Sequence, residues 1–164
     1  MKQRNILIFL ALLCSPAFAA ESAGPAANQA SLKIIGGAKI AMQRQPDKFN
    51  PRCVTKIPGD LLSPYIQILL ESGLSSTELN EMNNFYATKL AVAFDSDLLA
   101  QKANTPGYKS VQFSQSEKVT IGTTLTSPTA KKYFSIVSED NPDLMKSASN
   151  ALGPFLELCS QRPN

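Results

Sequence analysis

Apolar residues recur at steps of three and four over much of the chain, which is the spacing of one face of an α-helix. The pattern is clearest after Ser75, where it predicts one helix running to about Lys102. Ser75 and Glu78 begin it as a capping box, in which each side chain accepts a backbone hydrogen bond from the other residue. The predicted apolar face consists of Leu79, Met82, Phe85, Tyr86, Leu90, Ala93, Phe94 and Leu98.

Two further segments carry clear helix boundaries. Ser63-Pro64 is a helix start with proline at the first position, and Gly73 ends that segment. A last helix is predicted to begin at Asn141-Pro142, and Gly153-Pro154 inside it predicts a kink. Its apolar face consists of Leu144, Ala148, Ala151, Phe155 and Cys159.

Residues 117–126 satisfy two patterns at once. Alternating β-branched residues favour a strand, whereas a second capping box at Ser114 and Glu117 and a helix start at Ser127-Pro128 favour helix. A lone strand would also lack a partner. We predict helix.

The two capping boxes lie 39 residues apart, and aligning them superposes apolar residues further along. A duplicated helical hairpin would explain this match. The sequence therefore predicts an all-α single domain of four to five helices, with the duplicated hairpin as its suggested plan.

The N-terminus is typical of a secretory signal peptide over residues 1–19. Lys2 and Arg4 precede an apolar run over residues 6–13, and Ala17-Phe18-Ala19 offers small residues for cleavage. The run is too short for a membrane span of ~20 residues, and no later stretch approaches that length. Cys14 raises a lipoprotein alternative, but the bulky Leu13 before it disfavours lipidation. We expect a periplasmic or secreted protein.

Three segments follow from these boundaries. Residues 1–19 are the signal peptide, residues 20–52 a flexible N-terminal tail and connection, and residues 53–164 the helical domain. Residues 20–31 have nothing to bury, whereas residues 32–45 carry apolar positions around Gly36-Gly37 that fit no firm assignment. Cys53 and Cys159 are the two cysteines left after cleavage. In an oxidising compartment an isolated pair usually forms a structural disulfide.

Residues 58–160 resemble a family of small exported, all-helical bacterial proteins that is catalogued as a domain of unknown function. The family motif leads from an acidic capping position to an aromatic pair and then to Ser-Pro-x-Gly-x-Lys. The matching residues are Glu78, Phe85 and Tyr86 in the first copy and Ser127, Pro128, Ala130 and Lys132 in the second. The first copy has Ala87-Thr88-Lys89 in place of Ser-Pro, and the second lacks the aromatic pair. The resemblance implies a helical fold and no particular activity.

The chain contains no histidine, which removes the usual general base of hydrolases and the commonest metal ligand. Residues 33–37, KIIGG, match the activation site of trypsin-type proteases. Those proteases need a catalytic histidine and this chain has none, so the match is due to chance. Carboxylates remain the route to catalysis, since glycan hydrolysis needs two acids across a cleft. The candidates are Glu78, Glu81, Asp95 and Asp97, and helix capping already explains Glu78. We predict no catalytic residues, no metal site and no cofactor.

Charge and composition limit the classes of partner that the protein could bind. Cleavage leaves 14 basic against 13 acidic residues, so no electrostatic case for nucleic acid exists. We expect a non-catalytic protein that binds another protein in the envelope or outside the cell. An immunity protein against a periplasm-targeted toxin is one alternative, and a carboxylate-based glycan hydrolase is another. Phe85 and Tyr86 are the candidate interaction surface, although aromatic residues at helical spacing are usually core.

Overall fold

Eight α-helices make up residues 23–160, the part of the chain that this computed structural model describes. They are α1 (Pro25–Gln43), α2 (Pro51–Val54), α3 (Ser63–Gly73), α4 (Ser76–Tyr86), α5 (Lys89–Ala103), α6 (Gln115–Leu125), α7 (Pro128–Ile136) and α8 (Pro142–Cys159). The all-α class is confirmed, and the count of four to five helices is wrong. The predicted signal peptide lies outside the described residues.

The segment expected to be a tail is instead a helix at the centre of the fold. Its Ala26, Ala27, Ala30 and Ile35 are buried, and α1 packs against α2, α3, α4 and α5. Small side chains on α1 let the neighbouring helices approach closely. At Gly36 an added Cβ would lie 3.2 Å from the Leu99 side chain of α5. Residues 25–43 therefore belong to the core, and the expectation of a tail with little to bury is wrong.

The first turn of α1 is capped by residues distant in sequence. The backbone N–H of Gly24 donates to Gln67 of α3 at 2.9 Å, and that of Ala26 donates to Asn83 of α4 at 3.0 Å. The free N–H groups at a helix start need acceptors, and here no local side chain supplies one. The start of α1 is therefore stabilised by tertiary contacts.

The long helix predicted from Ser75 to Lys102 is two helices, α4 and α5. Thr88 separates them: its hydroxyl donates to the carbonyl of Phe85 at 2.7 Å and accepts from the N–H of Ala91 at 3.1 Å. Thr88 is thus the N-cap of α5. The apolar spacing continues across the break, which explains why it predicts one helix.

The two capping boxes begin helices of equal length. α4 and α6 each have 11 residues, and Ser75 and Ser114 cap them in the same way. Thr88 caps α5 and Ser127 caps α7, again 39 residues apart. The two consecutive helix pairs therefore share their starts and caps, although α5 has 15 residues and α7 has nine. The duplicated hairpin stays a prediction. α6 also confirms helix over residues 117–125.

The disulfide between Cys53 and Cys159 joins α2 to the end of α8 across 106 residues, which confirms the predicted pairing. Beside it, the N–H of Asn50 donates to the Cys159 carbonyl at 2.9 Å. α8 begins at Asn141-Pro142 as predicted and continues through Pro154. None of the helices between residues 23 and 160 has the length and apolar character needed to cross a membrane.

Candidate functional site

One face of α1 is left open as a groove between two walls. Three cavities of about 250, 210 and 330 Å³ lie along it, and all three are lined by Lys33 and Ile34. Ala30, Gly37, Ala38 and Ala41 continue the α1 face at steps of three and four, over ~16 Å of helix. One wall comes from α5 (Asp95, Leu98, Leu99, Lys102), and the other from α7, the following turn and α8 (Tyr133, Phe134, Val137, Ser138, Glu139, Met145, Ala148, Leu152). We call this surface the α1 groove.

An ion pair between Lys33 of α1 and Asp95 of α5 lies in the groove. Lys33 Nζ is 3.2 Å from Asp95 Oδ1, and the two side chains are 33% and 4% exposed. Lys33 Nζ also lies 5.8 Å from the centre of the Phe134 ring, within cation–π range. Asp95 Oδ2 is buried without a hydrogen-bond partner. Burial raises the pKa of the Asp95 carboxyl, and Lys33 partly offsets that rise.

Two tyrosine rings pack side by side behind this pair. The rings of Tyr86 and Tyr133 are 5.3 Å apart, and both side chains are buried. The Tyr133 hydroxyl donates to the carbonyl of Ala26 at 3.0 Å, whereas the Tyr86 hydroxyl has no partner. Burial raises the pKa of both phenols; the charge of Asp95 adds to the rise at Tyr86, and the neighbouring Tyr86 adds to it at Tyr133, where Asp95 contributes least. Both therefore stay neutral at physiological pH.

Two of the candidate acids instead join α4 to α7. Glu78 caps α4 and accepts from Lys132 Nζ at 2.6 Å, and Glu81 accepts from the Thr129 hydroxyl at 2.8 Å. The hydrogen bond from Lys132 and the bonds to Ser75 lower the pKa of Glu78 to about 2. Glu78 is thus fully ionised at neutral pH, and its role is to cap α4 and to link α4 to α7.

The fourth candidate, Asp97, holds the loop that follows α5. Its carboxylate accepts hydrogen bonds from the backbone of Val111, from the hydroxyls of Tyr108 and Ser110 and from the amide of Gln101, at 2.6 to 2.9 Å. The Val111 bond and the Tyr108 bond lower the pKa of Asp97. Of the four predicted acids, only Asp95 reaches the α1 groove.

Phe85 and Tyr86 do not form an exposed surface. They are 8% and 2% exposed, and their rings pack edge to face at 5.1 Å. These two residues therefore do not provide the expected interaction surface, because both lie in the core, where the Tyr86 ring packs against Tyr133 of α7. Within residues 23–160, no three cysteine, aspartate or glutamate side chains lie close enough together to hold a metal ion.

The sequence did not single out Lys33 or Glu139 as site residues. The sequence places Lys33 only within the KIIGG match, and it predicts that residues 20–52 lie outside the packed domain. An i, i+3, i+4 series from Ala30 to Ala41 was the available signal. Gly36-Gly37 interrupts this series, and glycine in a helix interior usually argues against a helix.

No family model, curated protein or solved structure matches this chain. The geometry of the α1 groove is therefore the basis for a functional proposal.

Proposed function

We propose that this protein is a non-catalytic exported protein that binds another protein, and that the α1 groove takes a helical segment of that partner. The observation that carries the proposal is the open face of α1 between α5 and α8, about three turns long. An amphipathic helix placed in such a groove buries its apolar face against small and aliphatic side chains. The Cys53–Cys159 disulfide supports a periplasmic or secreted location, where such bonds persist.

The test compares two arginine substitutions on α8. Met145 lines the groove and is 43% exposed, whereas Leu158 lies outside it and is 75% exposed. Affinity capture from the envelope fraction with wild-type protein should enrich a partner that Met145→Arg loses at least tenfold and that Leu158→Arg retains. Equal capture by both variants would show that the groove does not bind the partner.

An immunity protein is a special case of this proposal, in which the partner is a toxin delivered to the periplasm. The small size and disulfide support it. A deletion strain should then become sensitive to the cognate toxin, and Met145→Arg should fail to restore protection. Full protection by that variant would contradict this use of the groove.

A carboxylate hydrolase is the second candidate function. It is supported by the raised pKa of Asp95 and by Glu139, which lines the same cavity. A raised pKa suits a general acid, and glycan hydrolysis needs a second acid nearby. Purified protein would release soluble fragments from peptidoglycan, and Asp95→Asn and Glu139→Gln would each abolish the release. No release by wild-type protein would reject this function.

A further inference from the structure

Positive charge is concentrated on α2 and on the segment that leads to it. Residues 39–56 contain five basic residues and one acid, whereas the rest of the chain has slightly more acidic than basic residues. Arg44 is directed to α5, where its guanidinium donates to the Lys102 carbonyl at 2.7 Å. The other four bases lie on α1, on the connection and around α2. We call them the α2 basic surface: Lys39, Lys48, Arg52 and Lys56.

Two hydrogen bonds bring bases from different elements together. Lys39 Nζ donates to the Thr55 carbonyl at 3.3 Å, and the Thr55 hydroxyl donates to the Arg52 carbonyl at 2.9 Å. Lys39 of α1 therefore lies beside the end of α2, where Lys56 follows Thr55 in the chain. No acid among residues 23–160 forms an ion pair with any of the four bases. Their charges are thus available to an anionic partner.

An exposed leucine lies next to the α2 basic surface. Leu158 is 75% exposed, more than any other large apolar side chain between residues 23 and 160. Its neighbour Cys159 is bonded to Cys53 of α2, with the two Cα atoms 5.3 Å apart. Leu158 and Arg52 each immediately precede one of these cysteines. The disulfide therefore brings an exposed apolar residue alongside the basic ones.

This combination is typical of a surface that binds anionic lipid. Basic side chains are attracted to anionic headgroups, and an exposed apolar side chain enters the boundary between headgroups and acyl chains. A nucleic acid would accept the charges but would offer Leu158 no apolar phase. The four bases come from separate segments and have flexible stems, which suits a fluid surface whose headgroups rearrange around them. The acids that border the surface, Asp47 and Glu157, leave the bases in excess.

We propose that the α2 basic surface binds anionic membranes and that Leu158 enters the headgroup region. The inference is independent of the α1 groove, because neither Leu158 nor any of the four bases lines its three cavities. Binding of this kind is reversible and depends on salt, since screening weakens the attraction between exposed charges.

The experiment is sedimentation with lipid vesicles. Protein without residues 1–19, the predicted signal peptide, is mixed with vesicles of pure phosphatidylcholine or with vesicles that contain about 30% phosphatidylglycerol. The anionic vesicles should bind the protein more tightly, by about tenfold or more. Raising sodium chloride from about 0.05 M to about 0.5 M should remove most of that binding.

Two triple variants of equal net charge locate the binding surface. The first replaces three bases of the α2 basic surface: Lys39→Gln, Arg52→Gln and Lys56→Gln. The control replaces three exposed lysines of α6, α7 and α8: Lys118→Gln, Lys131→Gln and Lys146→Gln. Each base near an anionic membrane contributes a factor of about five in affinity. The first variant should therefore bind about 100-fold more weakly than wild type, and the control less than about threefold more weakly.

Leu158→Ser tests the apolar contribution and should bind anionic vesicles about tenfold more weakly than wild type. Val119→Ser, which changes a 57% exposed residue on α6, should bind like wild type. If Lys39→Gln prevents folding, the pair Arg52→Gln and Lys56→Gln changes exposed side chains alone and should weaken binding about 25-fold.

Several results would overturn the inference. They are equal binding to neutral and anionic vesicles, equal losses in the two triple variants, undiminished binding at high salt and full binding by Leu158→Ser. Tighter binding to duplex DNA or to polyglutamate than to anionic vesicles would also overturn it, because the partner would then belong to another class. None of these results bears on partner capture through the α1 groove.

Discussion

Tyr86 and Tyr133 pack against each other in the core, yet only one of their hydroxyls has a partner. The Tyr133 hydroxyl donates to the Ala26 carbonyl and so joins α7 to the start of α1. The Tyr86 hydroxyl is buried without a hydrogen bond. The same chemical group therefore contributes to stability at one position and costs stability at the other.

Removing these two hydroxyls should have opposite effects. Tyr133→Phe should lower the free energy of unfolding by about 1 kcal/mol, because it deletes a buried hydrogen bond. Tyr86→Phe should leave it unchanged or raise it by up to about 1 kcal/mol, because it removes a buried group without a partner. Urea unfolding followed by circular dichroism measures both, and each variant is the other's control. A larger loss for Tyr86→Phe would mean that its hydroxyl has a partner in solution.

Asp95 should cost stability at neutral pH. Burial raises its pKa in the folded protein, so folding favours the neutral acid; the resulting stabilisation is present at low pH and is lost as pH rises through the folded-state pKa. Asparagine stays neutral throughout. Asp95→Asn should therefore raise the melting temperature by a few degrees at pH 7, with the difference shrinking toward pH 3.

Scanning calorimetry of wild type and Asp95→Asn between pH 3 and pH 8 checks this expectation. Asp47→Asn, which changes an exposed acid, is the control for the lost negative charge. A lower melting temperature for Asp95→Asn at pH 7 would mean that attraction to Lys33 outweighs the cost of burial.

At single residues, the sequence predicts the helix caps but not which acid enters the groove. The capping roles of Ser75, Glu78 and Ser114 were predictable because their partners lie within three residues. Asp95 and Asp97 stand two residues apart on one helix, yet one faces α1 and the other a loop. Which of them enters the groove depends on how α5 rotates against α1, and this rotation is a tertiary property.

At the scale of elements, helices that carry their own start signals were predictable and α1 was not. α6 and α8 begin at the serine and asparagine caps that the sequence indicates, and α3 begins at Ser63-Pro64, although no side chain caps it. The first turn of α1 depends on Gln67 and Asn83, which are 43 and 57 residues from their donors. No local pattern reveals those caps, so the sequence predicts a tail where α1 lies.

The contact between α4 and α7 should depend on pH through Glu78. Its folded-state pKa is about 2, below the ordinary value of 4.5, chiefly because Lys132 donates to it. A lowered pKa gives stability that is present above the unfolded pKa and is lost as pH falls through the folded one. Glu78→Gln should therefore melt below wild type at pH 7, and the gap should close between about pH 4.5 and pH 2.

Glu117→Gln is the matched control, because Glu117 forms the same capping box on α6 and its pKa is lowered by Ser114 alone. Its gap from wild type at pH 7 should be smaller than that of Glu78→Gln. Thermal melts at half-unit steps of pH provide the comparison. Equal gaps would show that the capping box, rather than Lys132, accounts for the effect.

At the scale of the whole molecule, α1 has two roles that oppose each other. One face is buried against α3, α4 and α5, and another is left open as the α1 groove. A helix that must serve both faces carries small residues on each, and two of them, Gly36 and Gly37, weaken the helix signal in the sequence. The double glycine and the non-local caps of the first turn together explain why the sequence predicts a tail here and does not reveal the groove residues.

The disulfide links two distant parts of the chain, Cys53 and Cys159. Cys53 lies in the short helix α2 and Cys159 at the end of α8, so the bond encloses α3 to α8. Joining residues 106 positions apart restricts the unfolded chain, which in the chain-entropy account is worth up to about 5 kcal/mol. A loss of that size is a large fraction of the stability of a domain of this length.

Replacing both cysteines by serine should therefore lower the free energy of unfolding by about 3 to 5 kcal/mol, and wild-type protein reduced with dithiothreitol should match the variant. Urea titrations of oxidised, reduced and variant protein measure this difference. The helix content at zero urea is the control for a folded starting state. Because α2 and α8 also share the Asn50 to Cys159 backbone hydrogen bond, the folded forms should look alike by circular dichroism. A loss below about 1 kcal/mol would contradict the chain-entropy account of this disulfide.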